Sequence, residues 1–90
     1  LRGAGGGEQV REAVEDASRL SRAVLGAAWA PSHRVALVFT PRRLLEIGLD
    51  ATGRRALGRI RSFPWDRIAA FVFRDEWLEI RSWDEGLHRW

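Results

Sequence analysis

Ninety residues, 46% of them apolar and with a net charge of +3, allow one domain with one modest core. The absence of cysteine removes disulfide frameworks, thiolate metal sites and a Cys nucleophile from consideration. No apolar run approaches the roughly 18 residues that a membrane-spanning helix needs, and the longest uncharged segment, Ala23 to His33, contains Gly26 and Pro31, so the chain as it stands reads as soluble.

Leu1 to Gly7 holds four glycines and nothing large enough to bury, which predicts a flexible lead ahead of a single domain over 8–90. From Glu8 the pattern turns helical. Val10, Val14, Ala17, Leu20, Val24 and Ala28 recur every three or four residues, and Glu15 with Arg19 makes an i,i+4 pair of favourable polarity. The spacing predicts a helix over about 8–28, ended by Gly26 to Pro31, with an Ala- and Val-rich stripe that can approach a sheet closely.

A sheet is expected over about 33–90. His33 to Thr40 alternates Val35, Leu37 and Phe39 with Arg34, Ala36 and Val38, and Pro41 closes it. Arg43 to Asp50 sets Leu45, Ile47 and Leu49 on one side and Leu44, Glu46, Gly48 and Asp50 on the other, which reads as a strand with one wet face. The short Thr40–Arg43 turn makes these two antiparallel neighbours, and Asp50 to Arg54 is a loop with Gly53 at a φ > 0 position. Arg54 to Phe63 is the weakest strand by pattern, with Gly58 in its middle and four Arg that suit a protected edge.

The best strand signal follows a corner built from Pro64, Trp65, Asp66 and Ile68. Pro64 fixes its own φ and ends the preceding strand, and Asp66 is placed to accept backbone N–H bonds. Ile68 to Phe73 then has apolar residues on both faces and is expected to be central and covered on both sides. Asp75-Glu76 turns the chain into Trp77 to Trp83, with Leu78 and Ile80 on one face. Asp84-Glu85-Gly86 suits a hairpin loop leading to Leu87–Trp90. The fold expected is α+β: one N-terminal helix followed by a bent antiparallel meander of five to six strands.

Catalysis finds little support. His33 and His88 stand at opposite ends of the sheet region without ligand spacing, the paired acids fall in turns, and no nucleophile-elbow, phosphate-loop or dinucleotide fingerprint is present. The chain reads as non-catalytic, with no cofactor, no metal and no small-molecule substrate. Two surfaces can carry binding. Trp77, Trp83 and Trp90 share strand-face spacing and suit a partner surface, a dimer contact or the seat of the helix. Arg42, Arg43, Arg54, Arg55, Arg59 and Arg61 form a basic zone, seven Arg against two acids in 31–62, suited to acidic lipid headgroups or, less well, to RNA.

Residues 33–83 resemble the bacterial pleckstrin-homology-like domains found next to membrane segments in small proteins. The resemblance rests on Leu45-Glu46-Ile47-Gly48, on the basic loop, on Pro64-Trp65-Asp66-Arg67-Ile68 and on Leu78-Glu79-Ile80. It implies a binding scaffold, with no ligand residues carried over, and favours the cytoplasm or the cytoplasmic face of a membrane. Such domains close with a C-terminal helix, where this chain has its helix in front. The start at Leu1 and the stop at Trp90 are those expected of a processed product or a piece of a longer protein. The function expected is an interaction or assembly module, an accessory subunit that binds a protein partner or a second copy through its sheet edge or Trp face; the alternative is an anionic-surface binder using Arg54 to Arg61.

Overall fold

The computed structural model describes residues 2–3, 10–21, 23–74 and 76–90, and of Arg2 the backbone alone. In chain order the elements are β1 (Arg2–Gly3), α1 (Arg11–Leu20), β2 (Gly26–Ala30), β3 (Val35–Phe39), β4 (Arg43–Leu49), β5 (Ala56–Pro64), β6 (Ile68–Arg74), β7 (Trp77–Ser82) and β8 (Gly86–Arg89). Short 3-10 turns occupy Pro31–His33 and Trp65–Arg67. β1 to β5 form one antiparallel sheet in sequence order, and β6 to β8 form a second. The α+β class is as the sequence predicts; the expected single meander is instead two sheets.

Both faces of β3 and β4 are apolar, and this decides the layering. Ala36, Val38, Leu45, Ile47 and Leu49 face α1, where they pack with Val10, Ala13 and Ala17. Leu37 and Leu44 face the second sheet, packing with Phe63, Leu78, Ile80 and Trp90. The first sheet is therefore the middle of three layers. β4, expected to have a wet face, is covered on both sides: Leu44, Leu45, Ile47, Gly48 and Leu49 are all buried.

The helix is shorter than its apolar stripe predicts. Positions 8 and 9 lie outside the described residues, as does most of the glycine lead, although Arg2 and Gly3 pair with Trp29 and Ala28 at the sheet edge. Downstream, Gly26–Ala30 is strand, in register with β3 from Gly26 opposite Phe39 to Ala30 opposite Val35. Gly-Ala-Ala-Trp-Ala fits a period of two as well as one of 3.6, and small side chains suit a strand with covered faces. Ser21, extended at φ −144°, ends α1, its N–H donating to Ala17 O. Leu20 consequently lies off the buried stripe and is 55% exposed. The expected Glu15–Arg19 pair is replaced by Arg11–Glu15 and Asp16–Arg19, both at 3.6 Å and largely solvated, so they stabilise little. A firmer tie is the Ala56 N–H, which donates to the Glu12 carboxylate at 3.0 Å and fixes the helix to β5.

Ile68 to Phe73 is the main correction. The strand forms, but β6 is an edge of the second sheet, paired only with β7 among the described residues, and Ala69 to Arg74 are exposed. Only one layer of a three-layer molecule can be covered on both faces, and β3 and β4 occupy it. A ten-residue helix shields one face of one sheet and no more.

β5 is the opposite edge, of the first sheet, as its weak pattern predicts. Its pairing slips between Ile47 and Leu49, and Gly58 has φ 77°. Trp65 then pins the passage from one sheet to the other. Its ring N–H donates to Thr40 O at 2.7 Å and its backbone N–H to Arg42 O at 3.0 Å. The ring stacks near Phe39 and meets Phe71 edge-on, with centroids 6.4 and 5.8 Å away. Asp66, expected to accept backbone N–H bonds in this corner, is exposed and has no side-chain hydrogen bond among the described residues.

Candidate functional site

The three Trp expected to share a face are separated. Trp90 is 5% exposed and wedged between the sheets, its ring N–H donating to the Glu46 carboxylate and its ring edge-on to Phe63 with centroids 5.7 Å apart. Trp77 stands on the outer side of β7, where the Arg89 guanidinium lies 3.9 Å from its ring centroid. Glu79 accepts two bonds from Arg89, at 3.1 Å from Nε and 2.7 Å from Nη2, and so holds that cation over the ring. Trp83 sits in the β7–β8 hairpin and is 74% exposed. None of them seats the helix, which packs on the far side of the first sheet.

The basic zone is dispersed as well. Arg42 and Arg43 stand at the β3–β4 turn, at one end of β4, and Arg54 and Arg55 lie in the loop beyond its other end. Arg43 Nη1 donates to Ser62 Oγ at 3.4 Å. Arg61 is engaged by Glu46 at 3.5 Å, by Glu85 at 3.9 Å and by His88 Nδ1 at 3.3 Å, and lies over the Phe63 ring. It works as a bridge between the sheets. Arg59 and Arg61, with His33, Arg34 and Glu46, line a hollow of 290 Å³.

What the structure brings together is the outer edge of β6. Phe71 lies opposite Ile80 and Phe73 opposite Leu78, so both Phe share the face that packs on the first sheet. Leu78 and Ile80 are fully buried, yet Phe71 and Phe73 are 47% and 63% exposed, because the sandwich is open along β6. Val72, on the other face, is 37% exposed and lines a hollow of 180 Å³ with Arg74, Trp77, Glu79 and Arg89. Apolar residues are thus exposed on both faces of a strand whose second row of backbone N–H and C=O groups has no strand partner among the described residues. Phe71, Val72 and Phe73 are the residues that sequence reasoning missed as a surface. A signal was present: β3, β4 and β6 all have apolar residues on both faces, and one ninety-residue domain cannot cover all three.

Other chemistry is sparse among the described residues. No group of three or more His, Asp or Glu side chains is placed to hold a metal ion. His33 is exposed, while His88 is packed against Phe63 with its Nε2 buried and without a hydrogen-bond partner; Glu85 Oε2 lies 3.8 Å away. A hollow of 780 Å³ opens between the Pro31–His33 turn and Trp77, Arg89 and Trp90. Asp50 organises the β4–β5 loop. Its carboxylate accepts from Thr52 Oγ1 at 2.6 Å and from the N–H groups of Thr52, Arg54 and Arg55, and the Thr52 hydroxyl above all holds its pKa below the ordinary 3.8. No described helix is long and apolar enough to cross a membrane. Compared with protein-family models, with curated proteins and with solved structures, the chain matches none.

Proposed function

We propose that the domain is a non-catalytic interaction module, an accessory part of a larger protein or complex, which accepts an extended protein segment along the open edge of β6. The observation that carries this reading is a seven-residue edge strand with no charge from Ile68 to Phe73 and with Phe71, Val72 and Phe73 exposed. Added strands gain main-chain hydrogen bonds from such an edge and specificity from side chains on alternate faces. The other sheet's long edge, β5, is protected by Arg59, Arg61, Gly58 and Pro64, so the contrast lies within one molecule. The scaffold is of the pleckstrin-homology-like kind; two packed antiparallel sheets joined at the Pro64–Ile68 corner support that resemblance.

A photoreactive phenylalanine analogue at Phe73, compared with one at Trp83, tests the reading in cells. Cross-linking to protein from position 73 and not from 83 is expected. Absence of cross-links at 73, or equal labelling at both positions, overturns the proposal. The alternative, binding of anionic surfaces through Arg54–Arg61, has weaker support, since Arg61 is spent on Glu46 and Glu85 within the fold. Salt-sensitive cosedimentation with acidic liposomes would revive it.

A further inference from the structure

The geometry points to a pH-sensitive latch between the two sheets: the neutral His88 imidazole takes Arg61 as its partner, and the protonated imidazole gives up Arg61 and takes Glu85. The latch is independent of what the β6 edge binds. Its two residues reach each other from different layers. On β5, Arg61 shares with Phe63 the face turned toward the second sheet, and on β8 His88 lies opposite Ile80, which packs in the same cluster as Phe63. Aromatic rings hold the imidazole in place, Phe63 with its centroid 4.8 Å away and Trp90 stacked at 6.0 Å. The charged groups beside it are Arg61, with Nη2 3.3 Å from Nδ1, and Glu85 of the β7–β8 hairpin, with Oε2 3.8 Å from Nε2. Glu46 of β4 acts on it through Arg61, and α1 lies on the far side of the first sheet.

Donor chemistry fixes the state of the ring. A guanidinium offers only N–H donors, so the nitrogen that faces it, Nδ1, must accept, and the proton of the neutral ring then sits on Nε2. Nε2 is buried and without a hydrogen bond, the Glu85 carboxylate standing just out of range. A proton added at Nδ1 reverses both relations. Two donors and two positive charges then face each other at 3.3 Å, which breaks the Arg61 contact, while the Nε2–H, now part of a cation, gains a charge-assisted attraction to Glu85. The added charge has a counterpart, since Arg61 is one cation set between two carboxylates, Glu46 at 3.5 Å and Glu85 at 3.9 Å. Arg61 keeps Glu46, its neighbour across the β4–β5 pairing. Its remaining ion pair therefore lies within the first sheet, and the Glu85–His88 pair lies within the second. Acid replaces a tie between layers with ties inside each layer, and leaves the Trp90 hydrogen bond to Glu46 joining the sheets on this side.

Nitrogen NMR of the histidine rings in the whole chain reads the latch without a mutation. At pH 8 His88 should be the Nε2–H tautomer, while the exposed His33 exchanges between both tautomers; at pH 5, below the range in which imidazole ordinarily changes charge, both nitrogens of His88 should carry protons. Amide signals over residues 84–90 should follow the same transition, and those of α1 should not. Urea double-mutant cycles follow the exchange of partners. Arg61→Gln with His88→Gln should show a coupling of about threefold in the folding constant at pH 8 and none at pH 5, and Glu85→Gln with His88→Gln should show the reverse. A proton on Nδ1 at pH 8, an imidazole still neutral at pH 5, or couplings that are the same at both pH values overturns the inference.

Discussion

Replacing Leu44 and Leu45 separately with Ala tests the three-layer arrangement, because these neighbours on β4 point into different cores. Leu44 is 0% exposed and packs with Leu37, Phe63, Leu78 and Ile80; Leu45 is 1% exposed and packs with Val10, Ala13, Ala17 and Ile47. Each substitution removes three carbons, about 2.4 kcal/mol of transfer free energy at about 0.8 per methylene. The residual cavity raises this to about 3 kcal/mol. Phe73→Ala removes a larger side chain that is already 63% exposed, so a little over a third of the ~3–5 kcal/mol for a buried Phe, about 1–2 kcal/mol, is expected. Urea denaturation at low micromolar concentration measures all three. With a slope of about 1.5 kcal/mol/M, the two Leu variants should each lose about 2 M in midpoint without a change of slope. A cost under about 1 kcal/mol for Leu44→Ala beside ~3 for Leu45→Ala would mean that the second sheet does not cover β4, and the reasoning would fail.

Further outcomes follow from single sites. Gly53 has φ 74°, and a Cβ there would stand 2.9 Å from Trp29 Cζ2, whereas Gly58 at φ 77° faces open space. Gly58→Ala should therefore cost about 1 kcal/mol and Gly53→Ala clearly more in thermal or urea unfolding, and equal costs would contradict the Trp29 contact. Trp90→Ala should cost about 3–5 kcal/mol and quench the most shielded fluorophore, while Trp83→Ala should stay within about 0.5 kcal/mol; similar losses would show that the two are not buried differently. Because the folded state holds the Asp50 pKa below its ordinary 3.8, its contribution is present above that value and lost as pH falls through the lower folded value. The melting-temperature gap between the wild type and Asp50→Asn should be open at neutral pH and close in strong acid. A gap unchanged by pH would assign the loop's order to groups other than this carboxylate.

Much of the local structure is legible in the residues. Pro41 and Pro64, Gly53 with φ 74°, Gly86 with φ 78°, and the alternation of Val35–Phe39, Arg43–Leu49 and Trp77–Ser82 place turns and strands where backbone sterics and side-chain period require them. The β5 edge is legible too, through its Arg residues and Gly58. Periodicity is silent where side chains are small: Gly26–Ala30 fits helix and strand alike, and only pairing with β3 selects the strand.

Burial is the property that tertiary structure alone decided. By composition Ile68–Phe73, apolar on both faces, is the candidate for double cover and Leu44–Leu49, with Glu46 and Gly48 on one face, is not, yet it is Leu44–Leu49 that is buried. The described residues supply one helix and two small sheets with which to cover apolar surface, and covering one strand leaves another bare. The choice fell to β3 and β4 because they lie in sequence between the helix-facing and sheet-facing elements, so both layers can reach them. Which residues a strand contains is local; how many layers are left to cover it depends on the whole chain, and here that difference turned the expected centre into the exposed edge.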